Sequence, residues 1–146
     1  MTTVEIRPSI LLAGDAMTPS PVTVSTEDSV LRAWALMTRH GVRHLLVIDR
    51  DLCLGVVDDR TIFAQWPSGP GLLRQKPVAA VMRVIIAGVR VDTELRHVAA
   101  IMLRECLDAV PVVDETGGAI GIITSSDILR ALATSPGGHD DVRRGA

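Results

Sequence analysis

Residues 121–129 read G-I-I-T-S-S-D-I-L, an apolar strand that runs directly into a helix beginning near Thr124 or Ser125. The first N–H groups of a helix lack partners within it and, together with the helix dipole, favour an anion such as a phosphate. Asp127 adds two acceptor oxygens that suit neighbouring hydroxyls, as in a ribose. A second interpretation needs no ligand, because Thr124 as N-cap with an acid at Asp127 is close to a capping box.

An internal repeat covers most of the chain, and this stretch closes its second copy. A shift of 65 residues places Met17 on Met82 and Met37 on Met102. One extra residue in the second turn then raises the shift to 66, which places G-V-V at 55–57 on G-I-I at 121–123. The chain therefore consists of two copies of a unit of about 60 residues.

Composition excludes several classes of protein. Of the 146 residues, 47% are apolar, which is enough for a substantial core. Fifteen basic and 17 acidic residues give a net charge of -2, and aromatic residues make up only 2%. Neither a basic surface nor a set of stacking aromatic side chains is indicated, so we expect no nucleic-acid partner.

The cysteines and the N-terminus point to a soluble, cytoplasmic protein. Cys53 and Cys106 are too few for a disulfide framework and suit a reducing compartment. The short apolar run at 10–13 follows Glu5 and Arg7, so we expect neither a signal peptide nor a membrane span. Two cysteines also offer too few ligands for a metal site.

Each copy shows the same order of predicted elements, namely strand, helix, strand, strand and helix. In the first copy these are a strand at 22–24, a helix at 26–40, strands at 44–48 and 52–57, and a helix capped by Asp58 or Asp59. In the second copy they are an extended segment at 85–91, a helix at 95–106, strands at 109–113 and 119–123, and a helix at 125–133. The predicted organisation is an arm at 1–8, repeat 1 at 9–65, a linker at 66–77, repeat 2 at 78–133 and a disordered tail at 134–146.

This order and duplication resemble the tandem pair of cystathionine-β-synthase (CBS) domains, also called a Bateman module, over roughly residues 13–133. The segments that carry the resemblance are A-M-T-P at 16–19, V-T-V at 22–24, D-S-V at 28–30, H-G-V-R-H-L-L-V-I-D at 40–49, V-M-R at 81–83, L-D-A-V-P-V-V-D at 107–114 and residues 121–129. The resemblance implies an α+β fold in which two repeats pack with pseudo-two-fold symmetry and leave two clefts between their sheets.

In this family the clefts hold adenine nucleotides or related adenosyl ligands, at a signature that Gly121, Thr124 and Asp127 match. The resemblance implies that Asp127 holds the ribose hydroxyls, while Thr124 and Ser126 meet the phosphate. Arg43 is the candidate counter-charge for that phosphate. The base is expected against Met17, Val22 and Val42.

The first copy departs from this signature. Asp58 stands where Thr is expected, and Thr61 stands where Asp is expected. A carboxylate at the helix N-cap satisfies the N–H groups itself and repels a phosphate. We therefore expect one competent site, on the Asp127 side.

The leading interpretation is a regulatory sensor of AMP, ADP or ATP rather than an enzyme, because no nucleophile–base pair is visible. Two alternatives stay open, an S-adenosylmethionine sensor and a protein-interaction module with vestigial clefts. The wide apolar stripes on helices 26–40 and 93–106 need further cover. The family resemblance implies that they pair two copies into a homodimer.

Overall fold

The computed structural model describes residues 10–85 and 88–135. The predicted arm at 1–8 and the predicted tail beyond residue 135 lie outside these ranges, as do residues 86–87 within the predicted extended segment. Thr134, which the sequence assigns to the tail, belongs to the last helix.

Most elements follow the predicted order, with one difference in the second repeat. Instead of a strand over the described residues of 85–91, Val89 makes an isolated bridge to Val112. Short strands at Thr18–Pro19 and Arg83–Val84 were not predicted. In the first repeat the elements are α1 (Ala13–Ala16), β1 (Thr18–Pro19), β2 (Thr23–Ser25), α2 (Val30–His40), β3 (His44–Asp49), β4 (Leu52–Asp58) and α3 (Asp59–Ala64). In the second they are β5 (Arg83–Val84), α5 (Leu95–Glu105), β6 (Ala109–Val113), β7 (Ala119–Thr124) and α6 (Ser125–Thr134), preceded by a 3-10 turn at Val78–Ala80.

The segment predicted as a linker contains regular structure of its own. A 3-10 turn (Trp66–Ser68) leads into a short helix, α4 (Pro70–Gln75), which begins with proline at its first position and packs on α2. Proline is tolerated there because the first N–H of a helix has no partner within it. Leu73 of α4 is fully buried in the core of the first repeat.

Helix ends follow their local sequence. The Ser29 side chain caps α2 by accepting a hydrogen bond from the Arg32 amide over 3.1 Å. Gly41 ends the helix with a φ of 64°, in the left-handed region that glycine adopts without strain. Asp58 caps α3, accepting from the Thr61 amide over 2.7 Å, so the first of the two predicted capping residues performs the role.

The two repeats exchange one short strand each. One sheet has the order β2-β3-β4-β5, with β2 and β3 parallel and the other pairs antiparallel. The other has the order β1-β7-β6, all antiparallel. Strand β1 belongs to the first repeat yet pairs with β7 of the second, and β5 belongs to the second repeat yet pairs with β4 of the first. Neither repeat is therefore complete without the other.

Two equivalent glycines allow this exchange. A Cβ at Gly55 on β4 would overlap the backbone carbonyl of Arg83 on the incoming strand β5. A Cβ at Gly121 on β7 would lie 2.5 Å from the Met17 sulfur, directly before β1. Both strands lack a side chain at the point where the exchanged segment crosses them.

The core is divided into three clusters. Strand residues alternate, so Leu45 and Val47 face α2 while Leu46 faces the other sheet. The first cluster lies between α2 and its sheet, and the second lies between α5, α6 and the other sheet and includes Ala13 of α1. The third joins the two sheets and contains Leu46, Val56, Ala109 and Ile122. The prediction of an α+β fold with two repeats is confirmed.

Candidate functional site

A cavity of about 520 Å³ lies between the two repeats. The first repeat contributes the turn after α2 and the start of α3, and the second contributes the turn before β6 and the first turn of α6. Its lining residues are Thr18, Gly41, Val42, Arg43, His44, Asp58, Asp59, Arg60, Asp108, Ile122, Thr124, Ser125, Ser126, Asp127 and Arg130.

Asp127 is the one buried charged side chain of the described residues, with 5% of its surface exposed. Its Oδ2 accepts from the Thr124 amide over 2.8 Å and from the Thr124 hydroxyl over 3.1 Å. Its Oδ1 accepts from the Thr18 hydroxyl and from the Arg130 guanidinium, each over 3.1 Å. These four bonds satisfy the carboxylate and compensate its burial.

The capping box suggested by the sequence is formed. Thr124 is the N-cap of α6, and its hydroxyl accepts from the Asp127 amide over 3.4 Å while Asp127 accepts from the Thr124 amide in return. Ser125 and Ser126 follow in the first turn and are exposed toward the cavity. The cleft therefore ends at a helix N-terminus that carries hydroxyl groups.

Charges of both signs line the cavity. Three arginines, Arg43, Arg60 and Arg130, contribute positive charge, and Asp58, Asp59 and Asp108 add negative charge to that of Asp127. Arg60 and Asp108 approach to 4.0 Å across the two repeats, with both side chains largely exposed. Such an exposed pair contributes little to stability and can rearrange around a ligand.

His44 lies at the base of the cleft between these charges. Burial lowers its pKa below the ordinary value, and this outweighs the attraction of Asp58, Asp108 and Asp59, which raises the pKa. The positive charge of Arg43 acts in the same direction as burial. The imidazole is therefore neutral at neutral pH.

Of the seven residues predicted to bind the ligand, five line the cavity, namely Val42, Arg43, Thr124, Ser126 and Asp127. Met17 and Val22 do not line it. Met17 packs against the core of the second repeat, and Val22 packs against that of the first. The assignment of binding roles to all seven stays a prediction.

Several polar residues that the fold brings to this cavity were not predicted from the sequence, among them Thr18, Arg60, Asp108 and Arg130. Arg130 stands three positions after Asp127 on one helix, a spacing that places two side chains side by side, so it could have been found. Thr18 could not, because its place depends on the exchange of β1 into the sheet of the second repeat.

The second cleft is much smaller, about 160 Å³. Arg83, which the repeat aligns with Thr18, extends across it and donates hydrogen bonds to the carbonyls of Glu105 and Cys106 at the end of α5, the latter over 2.8 Å. Thr61 stands where Asp127 stands in the larger cleft, and Asp58 already caps α3. The two clefts thus differ in size as well as in signature.

Two α+β repeats that exchange strands around a polar cleft define a paired-repeat module. The family model of the CBS domain matches residues 13–66 and 78–134, so the chain belongs to the CBS-domain family and carries a tandem CBS pair. CBS pairs are generally regulatory and non-catalytic, although some proteins that contain them are enzymes.

Two solved structures are similar to this chain over most of its length. The CBS domain pair of protein MJ0100, in complex with methylthioadenosine and S-adenosyl-L-methionine, is 26% identical with a TM-score of 0.75, and the match covers 85% of this chain and 97% of that one. CBSX2, in complex with AMP, is 31% identical with a TM-score of 0.69, and the match covers 83% and 95%.

Several curated relatives are much longer proteins. The L-aspartate semialdehyde sulfurtransferase of Methanocaldococcus jannaschii is 26% identical over 127 residues, which are 86% of this chain and 24% of that protein. The chain thus spans about a quarter of that relative. Within residues 10–85 and 88–135, no helix has the length and apolar character needed to cross a bilayer.

Proposed function

We propose that this CBS pair is a regulatory module that binds an adenine nucleotide (AMP, ADP or ATP) in the larger cleft. The observation that carries the proposal is the position of Asp127, a buried carboxylate at the inner end of a cavity that both repeats shape. A buried carboxylate beside a helix N-terminus combines acceptors for a ribose with donors for a phosphate.

Each part of the nucleotide has matching groups in the cavity. Asp127 accepts from the ribose hydroxyls, and the hydroxyl of Ser126 donates to the phosphate. The predicted contact of Thr124 with the phosphate requires its hydroxyl to turn away from Asp127, to which it donates in the free protein. Arg43 and Arg60 come from the first repeat and Arg130 from the second, so phosphate charge is met from both sides. Val42 and Ile122 supply apolar surface for the base, beside the predicted contacts of Met17 and Val22.

A volume of about 520 Å³ is in the range of pockets that hold small organic ligands. The two similar structures described above hold adenosyl ligands, AMP in one and methylthioadenosine with S-adenosyl-L-methionine in the other. Both facts support an adenosyl ligand. Which adenosyl ligand binds best depends on the charges of the cleft.

S-adenosylmethionine is the second candidate, and the mixed charge of the cleft favours it. A ligand with a sulfonium, an amine and a carboxylate can be matched by aspartates and arginines together. Asp58, Asp59 and Asp108 oppose a polyphosphate but suit the cationic end of such a ligand. The affinity for AMP relative to S-adenosylmethionine therefore distinguishes the two.

Binding is coupled to regulation through the two repeats. Arg43 and Val42 belong to the first repeat, whereas Thr124 and Asp127 belong to the second, so a ligand that contacts all four stabilises one relative packing of the repeats. A partner protein would respond to that packing. We expect no catalysis of its own, no metal or obligatory cofactor, and a cytoplasmic location.

We also propose that the chain forms a homodimer through the helices predicted at 26–40 and 93–106, which correspond to α2 and α5 of the structure. Leu103 on α5 is 82% exposed, and Leu129 and Leu132 on the neighbouring α6 are also exposed. Apolar side chains concentrated on one face favour a protein partner. The same surface supports the other alternative, an interaction module whose clefts bind nothing.

Thermal unfolding with AMP, ADP, ATP, GTP and S-adenosylmethionine tests the proposed ligand. A ligand at a hundred times its Kd adds about 2.7 kcal/mol to the free energy of unfolding, which raises Tm by roughly 5–10 °C. We expect this rise with adenine ligands, its loss in Asp127→Ala, and its retention in Thr61→Ala, the equivalent position of the smaller cleft. No rise with any ligand would leave the interaction module as the better interpretation.

A further inference from the structure

The carboxylate of Asp127 has no acceptor site to spare for a ribose. A carboxylate offers about four lone-pair sites. Four donors occupy them, namely the amide and hydroxyl of Thr124 on Oδ2 and the side chains of Thr18 and Arg130 on Oδ1. A ligand that uses Asp127 must therefore displace at least one of these donors.

Arg130 is the donor that can leave at the lowest cost. The Thr124 amide is fixed by the first turn of α6, and the Thr124 hydroxyl is held in the capping box, where it also accepts from the Asp127 amide. Thr18 is held by the pairing of β1 with β7. The side chain of Arg130 is 68% exposed, and water can solvate its guanidinium once it leaves the carboxylate. Asp127 itself is buried, but three other donors still satisfy its carboxylate when Arg130 leaves, and a ribose hydroxyl takes the vacated site, so breaking this pair opposes binding only moderately.

The displaced guanidinium stays at the cavity that the ligand enters, because Arg130 lies one turn after Asp127 on the same helix. Arginine binds phosphate oxygens with two parallel hydrogen bonds. A ligand with a phosphate thus replaces the bond that Arg130 loses, whereas a bare nucleoside breaks the bond and returns nothing.

We propose that Arg130 determines specificity in this cleft, by leaving Asp127 for the phosphate of the ligand and so favouring nucleotides over the corresponding nucleosides. This inference rests on the proposed function, since it assumes that the ribose binds Asp127. Arg130 then opposes binding of the ribose, because it competes for Asp127, and favours binding of the phosphate.

Calorimetric titration of the protein with AMP and with adenosine tests the proposal, because the two probes differ only in the phosphate. Arg130→Met removes the guanidinium and keeps the apolar stem. We expect adenosine to bind about two- to fivefold more tightly, because it no longer has to break the bond between Arg130 and Asp127. We expect AMP to bind about tenfold or more weakly, the size of a lost charge-assisted hydrogen bond.

Two further variants make the result specific. Arg43→Met removes another arginine of the same cavity that is not among the four donors to Asp127, so AMP should weaken while adenosine gains nothing. Arg32→Met removes the ion pair between Arg32 on α2 and Asp28, which precedes that helix. Neither residue lines the cleft, so both affinities should stay at the wild-type values. The tighter binding of adenosine is therefore expected for Arg130→Met alone.

The outcomes separate this inference from the proposed function. If AMP binds the wild type and Arg130→Met binds both probes with wild-type affinities, the role of Arg130 is wrong and the nucleotide site stands. If Arg130→Met binds AMP more weakly without binding adenosine more tightly, Arg130 contacts phosphate but does not compete for Asp127. Failure of every variant to bind either probe would overturn both.

Discussion

The hydroxyl of Thr18 donates a hydrogen bond to Oδ1 of Asp127 over 3.1 Å, although 109 positions separate the two residues in sequence. The contact exists because β1 leaves its own repeat and pairs with β7, directly before the turn that carries Asp127. The inner end of the larger cleft is thereby tied to the beginning of the first repeat. A ligand that binds Asp127 therefore competes with a hydrogen bond that joins the two repeats.

Replacement of Asp127 should affect stability as well as binding. Asp127→Ala leaves the Thr124 amide and two hydroxyls without their acceptor, which we expect to cost about 1–3 kcal/mol. The lost Arg130 pair is not added to this cost, because the Arg130 side chain is 68% exposed and water solvates its guanidinium once the carboxylate is gone. Thermal unfolding without ligand should show Tm lower by roughly 3–10 °C.

Asp127→Asn is the matched control, because its amide oxygen still accepts one of these hydrogen bonds. Its loss of stability should therefore be smaller than that of Asp127→Ala. Equal stability of Asp127→Ala and the wild type would show that the capping box contributes nothing, contrary to its geometry.

Sequence reasoning predicted the elements well where the pattern was strong. Val30, Ala33 and Met37 lie three and four positions apart, and all three are buried on one face of α2 as their spacing predicts. Short runs of apolar residues likewise identified β3 and β4, and three consecutive residues of each strand are buried. These signals are local, so no knowledge of the rest of the chain was needed.

The exchange of strands could not be predicted from residue patterns. Strands β1 and β5 are two residues long, and T-P or R-V carries no signal for a partner. The sequence therefore did not indicate that the side chain of Arg83 extends across the smaller cleft. Helix α4 was missed for a different reason, since Pro70 and Gly71 are typical of a loop, whereas packing of Leu73 stabilises the helix.

Leu103→Glu tests the proposed homodimer more cleanly than a change at Trp34. Trp34 packs edge-on against Phe63, with ring centroids 5.2 Å apart, so its replacement would disturb the fold of the chain itself. Leu103 is 82% exposed and should cost the monomer little. We expect light scattering to give the mass of a dimer for the wild type and of a monomer for Leu103→Glu.

Val84→Glu is the control for this change, because Val84 is 63% exposed and lies on the edge strand β5 rather than on α2 or α5. It should leave the dimer intact. A monomeric wild type, or a dimer unaffected by Leu103→Glu, would remove α5 from the interface.

His44 should make stability depend on pH. Its pKa is lowered in the folded protein by burial, so below the ordinary value of 6.5 the unfolded chain takes up a proton that the folded chain resists. The contribution of the neutral His44 to the free energy of unfolding is thus complete above pH 6.5, and it is lost as the pH falls toward the pKa of His44 in the folded protein. Urea unfolding between about pH 5 and pH 7 should show a weaker pH dependence for His44→Gln than for the wild type.

The exposed His97 provides the comparison, since His97→Gln should keep the wild-type slope. Parallel curves for His44→Gln and the wild type would mean that His44 titrates alike in both states.

Arg83 should keep the smaller cleft from binding a second nucleotide, but it should not be the only obstacle. Its guanidinium satisfies carbonyls at the end of α5, so Arg83→Ala should cost about 1 kcal/mol after allowance for solvent. Even when that space is vacated, Asp58 occupies the N-terminus of α3 and Thr61 offers no carboxylate to a ribose. Calorimetric titration of Arg83→Ala with AMP should therefore still give one site per chain. A stoichiometry of two would show that Arg83 alone closes this cleft and that the signature residues Asp58 and Thr61 tolerate a nucleotide.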